Sequence, residues 1–370
     1  MPDAIRKALV NRRHILAGAM VGAASACLPM PAVSQGLRKL KMTLPWLPQG
    51  SQFFAFVARH QGMWRKRGLD VDVVRGFGSV PALQTVLEAQ NEVGIIAAPT
   101  ILVSAAQGVD TRVVGVIGYD ATMGIMVLDE SPVRSLKDLE GRRLGSSPGA
   151  AELAFVDPYL ARSNVDPKKV SRVSLQANVL ESSLLNKQVD AITAFATSNM
   201  PNMLAQGVKV RFFPYSAAGL VIYSNCLTTT PKFLSENRQI VEAWVDGLVE
   251  AVKFCLSNFD TAVENFLAEV PQMRMTATGA THARYGAGFF LATVLKPEMR
   301  EHGIGWASLP SLNNQTDLVM EFIAAKGAKR PAIEEIFSNE MVGKVRLTDA
   351  EWASAQQLAK PYEDLLNFRG

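Results

Sequence analysis

The sequence predicts an α/β fold built as two similar lobes, and three features of the residue order predict it. Short apolar runs alternate with amphipathic helical stretches at the spacing of strand–helix–strand units, and that alternation starts afresh after about residue 140. Beyond about residue 230 the period is helical nearly to the end, with turn signals at Pro271, Pro297, Pro310, Pro331 and Pro361. A chain of 370 residues is long enough for two domains of ordinary size.

In the first unit, Lys39–Leu44, Asp70–Val74, Val93–Ala97 and Arg112–Gly118 read as strands. Gln52–Lys66, Val80–Ala89 and Ile101–Gln107 read as the helices between them. Right-handed crossovers of this kind make a mostly parallel sheet flanked by helices. Ser79 with Pro81 just after it marks a helix start, because proline in the first turn has no intrahelical N–H to lose. In the second unit, Arg142–Gly145, Val170–Leu175 and Ala191–Phe195 are strands, and Ala150–Arg162 and Val179–Lys187 are helices. Leu87-Glu88-Ala89-Gln90-Asn91-Glu92-Val93 and Leu185-Asn186-Lys187-Gln188-Val189-Asp190-Ala191 hold the same place in the two units, a helix end turning into the third strand.

Residues 1–34 read as an export signal and not as part of a lobe. A basic start (Arg6, Lys7, Arg12, Arg13) precedes an uncharged stretch, Ile15 to Leu28, that is too short to span a bilayer, and Ala32-Val33-Ser34 supplies small residues for a peptidase. The pair Arg12-Arg13 before the apolar stretch resembles a twin-arginine export signal; a chance pair in an ordinary secretory signal is the alternative. Cys27 as a lipid-attachment site is disfavoured by Ala24, where a leucine is usual. Export places the chain in the periplasm.

The segment carries four basic residues and one acidic one, Asp3, so 34 of 38 basic and 33 of 34 acidic residues remain. A near-neutral chain gives no electrostatic footprint for nucleic acid. Cys226 and Cys255 remain, with Cys255 on the helical stripe Ile240, Trp244, Leu248, Ala251, Cys255, Phe259, so a buried thiol is favoured over a disulfide. Four histidines without close Cys/His spacing give no metal site, and nothing calls for a cofactor.

Trp46-Leu47-Pro48-Gln49-Gly50 follows the first strand, then comes Gly62-Met63-Trp64-Arg65-Lys66-Arg67-Gly68-Leu69-Asp70-Val71, then Gly76-Phe77-Gly78-Ser79. With Ser135-Leu136-Lys137-Asp138-Leu139-Glu140-Gly141 ahead of the second unit, this order resembles the periplasmic binding proteins of ABC importers for nitrate, sulfonates, taurine and thiamine-pyrimidine precursors. The resemblance, over residues 37 to 270, implies a two-lobed type II periplasmic binding protein fold with a ligand cleft between the lobes. It places residues 37–128 and 222–370, C-terminal helices included, in lobe one and 129–221 in lobe two, with crossings near Met123–Leu128 and Leu220–Ser224. The implied partners are a small-molecule ligand and an inner-membrane permease, the chain itself being a monomer. Ala89 and Lys187 depart from the glycine that the family often has before its third strand.

In open α/β sheets the ligand crevice lies outside the carboxyl ends of the strands. The candidate ligand residues at those ends are Trp46, Gln49, Gly50, Ser51, Gln52, Gly78, Ser79, Ala98, Thr100, Ser146, Ser147, Gly149, Ala150 and Phe195, with Tyr223 at the second crossing. They combine an aromatic face, small residues that admit a ligand near the backbone, and hydroxyl or amide groups that orient it. Each has a plainer reading: Trp46 and Phe195 as core, Gly76 and Gly78 as turn residues, Ser146 to Gly149 as a helix cap, and Glu152 as a first-turn carboxylate. The set expects a small planar heteroaromatic or organic acid of the thiamine-pyrimidine-precursor kind, with an oxyanion of the sulfonate, taurine or nitrate type as the alternative.

Two other classes share the pattern. The resemblance includes the fungal type of thiamine-pyrimidine synthase, which holds pyridoxal phosphate on a lysine and consumes a histidine. Alignment on Trp46 and Val93-Gly94 puts Ile96 and Thr100 in those places, so no catalytic residue is assigned. A sensor that binds a solute and then a membrane receptor would use the same cleft.

Overall fold

The computed structural model describes residues 36–323 and 327–366, so the expected export segment, with Cys27, lies outside the described residues. Two five-stranded sheets form the two lobes. The first has the order β2-β1-β3-β10-β4, with β1 Arg38–Thr43, β2 Leu69–Val74, β3 Val93–Ala97, β4 Arg112–Ile117 and β10 Asn225–Thr229. The second has the order β7-β6-β8-β5-β9, with β5 Met123–Leu128, β6 Arg143–Ser146, β7 Ser171–Ser174, β8 Ala191–Phe195 and β9 Val210–Pro214. In each sheet one strand, β10 or β5, runs against the others.

Those two reversed strands correct the reading of the first crossing. Met123–Leu128, expected to end lobe one, instead forms β5 in the second sheet, paired on both sides and buried along its whole length. An unbroken apolar run is the pattern of a strand covered on both faces. The chain therefore leaves the first sheet after Ile117, and it returns between Pro214 and Asn225.

The first lobe carries α1 Phe53–His60, α2 Ser79–Leu87 and α3 Ala98–Ala106. The helix expected over Gln52–Lys66 stops at His60, where Gly62 at φ +63 turns the chain. The second lobe carries α4 Val156–Arg162, α5 Leu180–Leu185 and α6 Ala196–Ala205. After β10 come α7 Pro231–Glu236, α8 Arg238–Ser257, α9 Phe259–Glu269, α10 Gly279–Val294, α11 Pro297–His302, α12 Leu309–Phe322, α13 Ile333–Ile336 and α14 Asp349–Leu366. Trp64 is core: it is buried, and its indole N–H donates to the Trp244 carbonyl at 3.0 Å. Trp244, Leu248, Ala251 and Cys255 of the expected stripe form the buried face of α8, while Phe259 begins α9.

Helix α10 holds the lobes to one frame. Phe290 packs on Phe53 and Phe54 with ring centroids 5.7 and 4.8 Å apart, whereas Phe289 joins the second lobe's cluster with Met126, Leu184, Ile192 and Met203. Cys226 in β10 and Cys255 in α8 are buried and unpaired, and burial pushes both thiols up. Among the described residues no helix is long and apolar enough to cross a membrane, and no group of three or more His, Cys, Asp or Glu is placed to hold a metal ion.

Candidate ligand-binding cleft

Between the two sheets lies a cavity of about 610 Å³, its solvent-open mouth included. The first lobe brings Trp46 and Pro45 after β1, Ser51 and Gln52 before α1, Ser79 at the start of α2 and Ala97 at the end of β3. The second brings Ala151 and Glu152 after β6, Phe195 at the end of β8, and Thr197, Ser198 and Asn199 from the first turn of α6. Ser224 and Asn225 enter from the second crossing, and Phe290 and Thr293 from α10. The strand-end rule thus places the cleft, because each sheet's parallel strands deliver their carboxyl ends to the same gap.

Among the described residues no lysine or arginine lines this cavity, and Glu152 is its one ionisable lining side chain. Glu152 is 3 % exposed, and burial raises its carboxyl from the ordinary range to about 7, against a bond from the Thr193 hydroxyl at 3.0 Å. Gln52 is equally enclosed, and its side-chain carbonyl oxygen has no partner. Asn199 is fully engaged: its carbonyl accepts from the Phe195 N–H at 3.0 Å and its amide donates to Glu181 at 2.7 Å.

The helix starts around the cavity have already committed their first donors. The Val80 N–H goes to the Gly149 carbonyl, Ala97 to the Ser79 hydroxyl, Ala98 to the Ser224 carbonyl, and Ala196 to the Thr122 carbonyl. Those four donors are therefore not free for a negative charge, and the lining side chains offer hydroxyls and amides.

A family model described as NMT1/THI5 like matches residues 51–262, more than half of the chain. The chain belongs to the NMT1/THI5-like family. It is 25% identical over 248 residues to a putative thiamine biosynthesis protein of Haemophilus influenzae, covering 66% of this chain and 77% of that one. It is 18% identical over 235 residues to the formylaminopyrimidine-binding protein of Halalkalibacterium halodurans, covering 63% and 71%. The periplasmic aliphatic sulphonate binding protein SsuA from Escherichia coli superimposes with a TM-score of 0.57 at 14% identity, over 79% of this chain and 97% of that one. That likeness is one of fold: two lobes with a cleft between them, as in periplasmic binding proteins.

In this NMT1/THI5-like chain, Trp46, Ser51, Gln52, Ser79 and Phe195 of the expected ligand residues meet in the cavity. The others stand elsewhere. Gln49 is buried behind Ser51, to whose hydroxyl it donates at 3.2 Å. Gly50 serves packing, since a Cβ there would run into the Ala283 carbonyl of α10. Ala98 and Thr100 are buried in α3, the Thr100 hydroxyl without a partner. Ser146 opens onto a separate depression with Asp157 and Arg172, and Ser147 is buried at the turn, where its carbonyl accepts from Ala150. Gly78, Gly149 and Ala150 are not among the lining residues. Tyr223 points away: its hydroxyl donates to Glu298 at 2.7 Å, its ring meets Tyr119 edge-on, and its N–H donates to Gln315.

Residues that the strand-end rule missed have identifiable sources. Glu152 read as a dipole-compensating carboxylate because nothing local shows that its segment turns inward as a 3-10 helix, Ala151–Phe155. Ser198 and Asn199 lie three and four residues beyond the end of β8, inside α6. Phe290 and Thr293 come from α10, far along the chain, and carry no local signal at all.

Proposed function

We propose that this protein is the solute-binding component of an ABC importer, working in the periplasm, and that its ligand is a small planar heteroaromatic bearing amino groups. The observation that carries the ligand class is the pairing of Trp46 with two enclosed acceptors, the Glu152 carboxyl and the unpartnered Gln52 oxygen, in a wall without lysine or arginine. An aromatic face takes a flat ring, and a buried acceptor without a donor, the Gln52 oxygen, favours a ligand that supplies one. An aminopyrimidine of the thiamine-precursor kind has both features, and the name of the Halalkalibacterium halodurans relative agrees with it.

An oxyanion fits this wall less well. A sulfonate or nitrate needs cationic side chains or several converging donors, and the lining has none of the former. A catalytic role draws no support from the lining, which contains no lysine, histidine or cysteine; Ile96 is buried inside β3.

Calorimetry of the purified protein against 4-amino-5-hydroxymethyl-2-methylpyrimidine, taurine and nitrate tests the reading. The pyrimidine is expected to bind most tightly, and Trp46→Ala to weaken it by about 1 to 3 kcal/mol through lost stacking and burial. Tighter binding of either anion would overturn the ligand class.

A further inference from the structure

We propose that Gly78 and Gly149 form a backbone latch that holds the two lobes closed against each other beside the cleft, with no side chain and no ligand atom taking part. Gly78 immediately precedes α2 on the first lobe, and Gly149 follows β6 on the second. The Val80 N–H, in the first turn of α2, donates across the gap to the Gly149 carbonyl at 3.2 Å. This contact sets a carbonyl against the positive end of a helix, a favourable arrangement that depends on no side chain.

Both glycines are required by space as well as by backbone angle. Gly78 has φ +129, and a Cβ there would stand 2.5 Å from the Gly149 oxygen and 2.8 Å from its carbonyl carbon. Gly149 has φ +89, and a Cβ there would stand 2.8 Å from Cδ of Pro81, the next residue of α2. The two obstructions differ in kind. One is backbone and fixed; the other is a side-chain atom that a smaller residue removes. Neither glycine lines the cavity, so closure by this contact is independent of which solute lies inside.

A disulfide trap reads the closed state without any ligand. The hydroxyls of Ser51 and Ser198 approach to 3.4 Å across the lobes, so a Ser51→Cys/Ser198→Cys protein forms a disulfide under diamide only when the cleft is shut. Native Cys226 and Cys255 are buried and stay out of the reaction. The rate of bond formation, followed by mass, is expected to fall about tenfold or more when Gly78→Ala or Gly149→Ala is added, the equivalent of about 1.4 kcal/mol or more against the closed state. Pro81→Ala should restore the rate in the Gly149→Ala background and not in the Gly78→Ala background. Gly141→Ala, at φ +79 with nothing within 4 Å, reproduces the left-handed strain of Gly149→Ala without the clash and should close at the parent rate. Parent rates in both glycine variants, rescue of both or of neither, or equal slowing by Gly141→Ala would each overturn the latch. Because no ligand enters the measurement, its outcome is separate from that of the ligand class proposed above.

Discussion

The two lobes repeat one backbone and diverge in the chemistry they place on it. Before the third strand of the first sheet, Ala89 adopts φ +56, and the next two N–H groups, of Gln90 and Asn91, reach back to the Thr85 carbonyl. Before the corresponding strand of the second sheet, Lys187 adopts φ +56, and Gln188 and Val189 reach back to the Ser183 carbonyl. The turn that a glycine would make easily is thus made twice by residues with a Cβ. At the cleft the likeness ends. The first lobe presents the Trp46 ring and the Gln52 amide, the second a buried carboxyl, two hydroxyls and an engaged amide. Backbone geometry fixes where the cleft is, and a handful of side chains at strand ends and helix starts decides what enters it.

The largest expected effect tests the most distinctive of those side chains. Burial favours protonated Glu152 in the fold, so its contribution to stability is full below pH about 4.5 and is lost as the pH rises to about 7. Glu152→Gln should leave urea stability near the parent's at pH 5 and exceed it by on the order of 3 kcal/mol at pH 8 in the ligand-free protein. Identical pH profiles for the two proteins would mean that the carboxyl is better solvated than its burial implies. A smaller effect tests the repeat itself. A left-handed residue with a Cβ costs about 1 to 2 kcal/mol, partly offset by the greater freedom of an unfolded glycine, so Ala89→Gly and Lys187→Gly should each stabilise by about 0.5 to 1 kcal/mol. Unequal gains in denaturant titrations would show that the two turns share bonds and angles but not strain. The Lys187 ion pair with Glu130 does not disturb the comparison, since both side chains are well exposed.

Locally encoded structure was legible in the residue order. Val93–Ala97 and Ala191–Phe195 are strands to the residue, and the α2 start at Ser79 lies one residue from the expected one. What local order does not encode is pairing between distant segments. Strands β5, β9 and β10 escaped because their partners lie in other parts of the chain: β10 inserts between β3 and β4, and β5 between β8 and β9. The site divides in the same way. Trp46, Gln52, Ser79 and Phe195 follow from the strand-end rule, whereas Phe290 depends on a helix docking from far down the chain. Gly78 and Gly149 were legible as special positions, but only the assembled lobes show that they face each other.

The adjacent pair Phe289 and Phe290 makes α10 answerable to two masters. One ring is seated among the first lobe's aromatics and its neighbour in the second lobe's cluster, both nearly inaccessible. Any swing of one lobe from the other that keeps Phe290 seated must draw Phe289 from its socket, at a cost of roughly 1.5 to 3 kcal/mol for a ring of that size. The cost of gaping is thus set partly by a residue of α10 that is not part of the cavity lining. Under the proposed binding role, opening would then depend on how readily that ring leaves its socket, as a clock's escapement paces a spring that it does not wind.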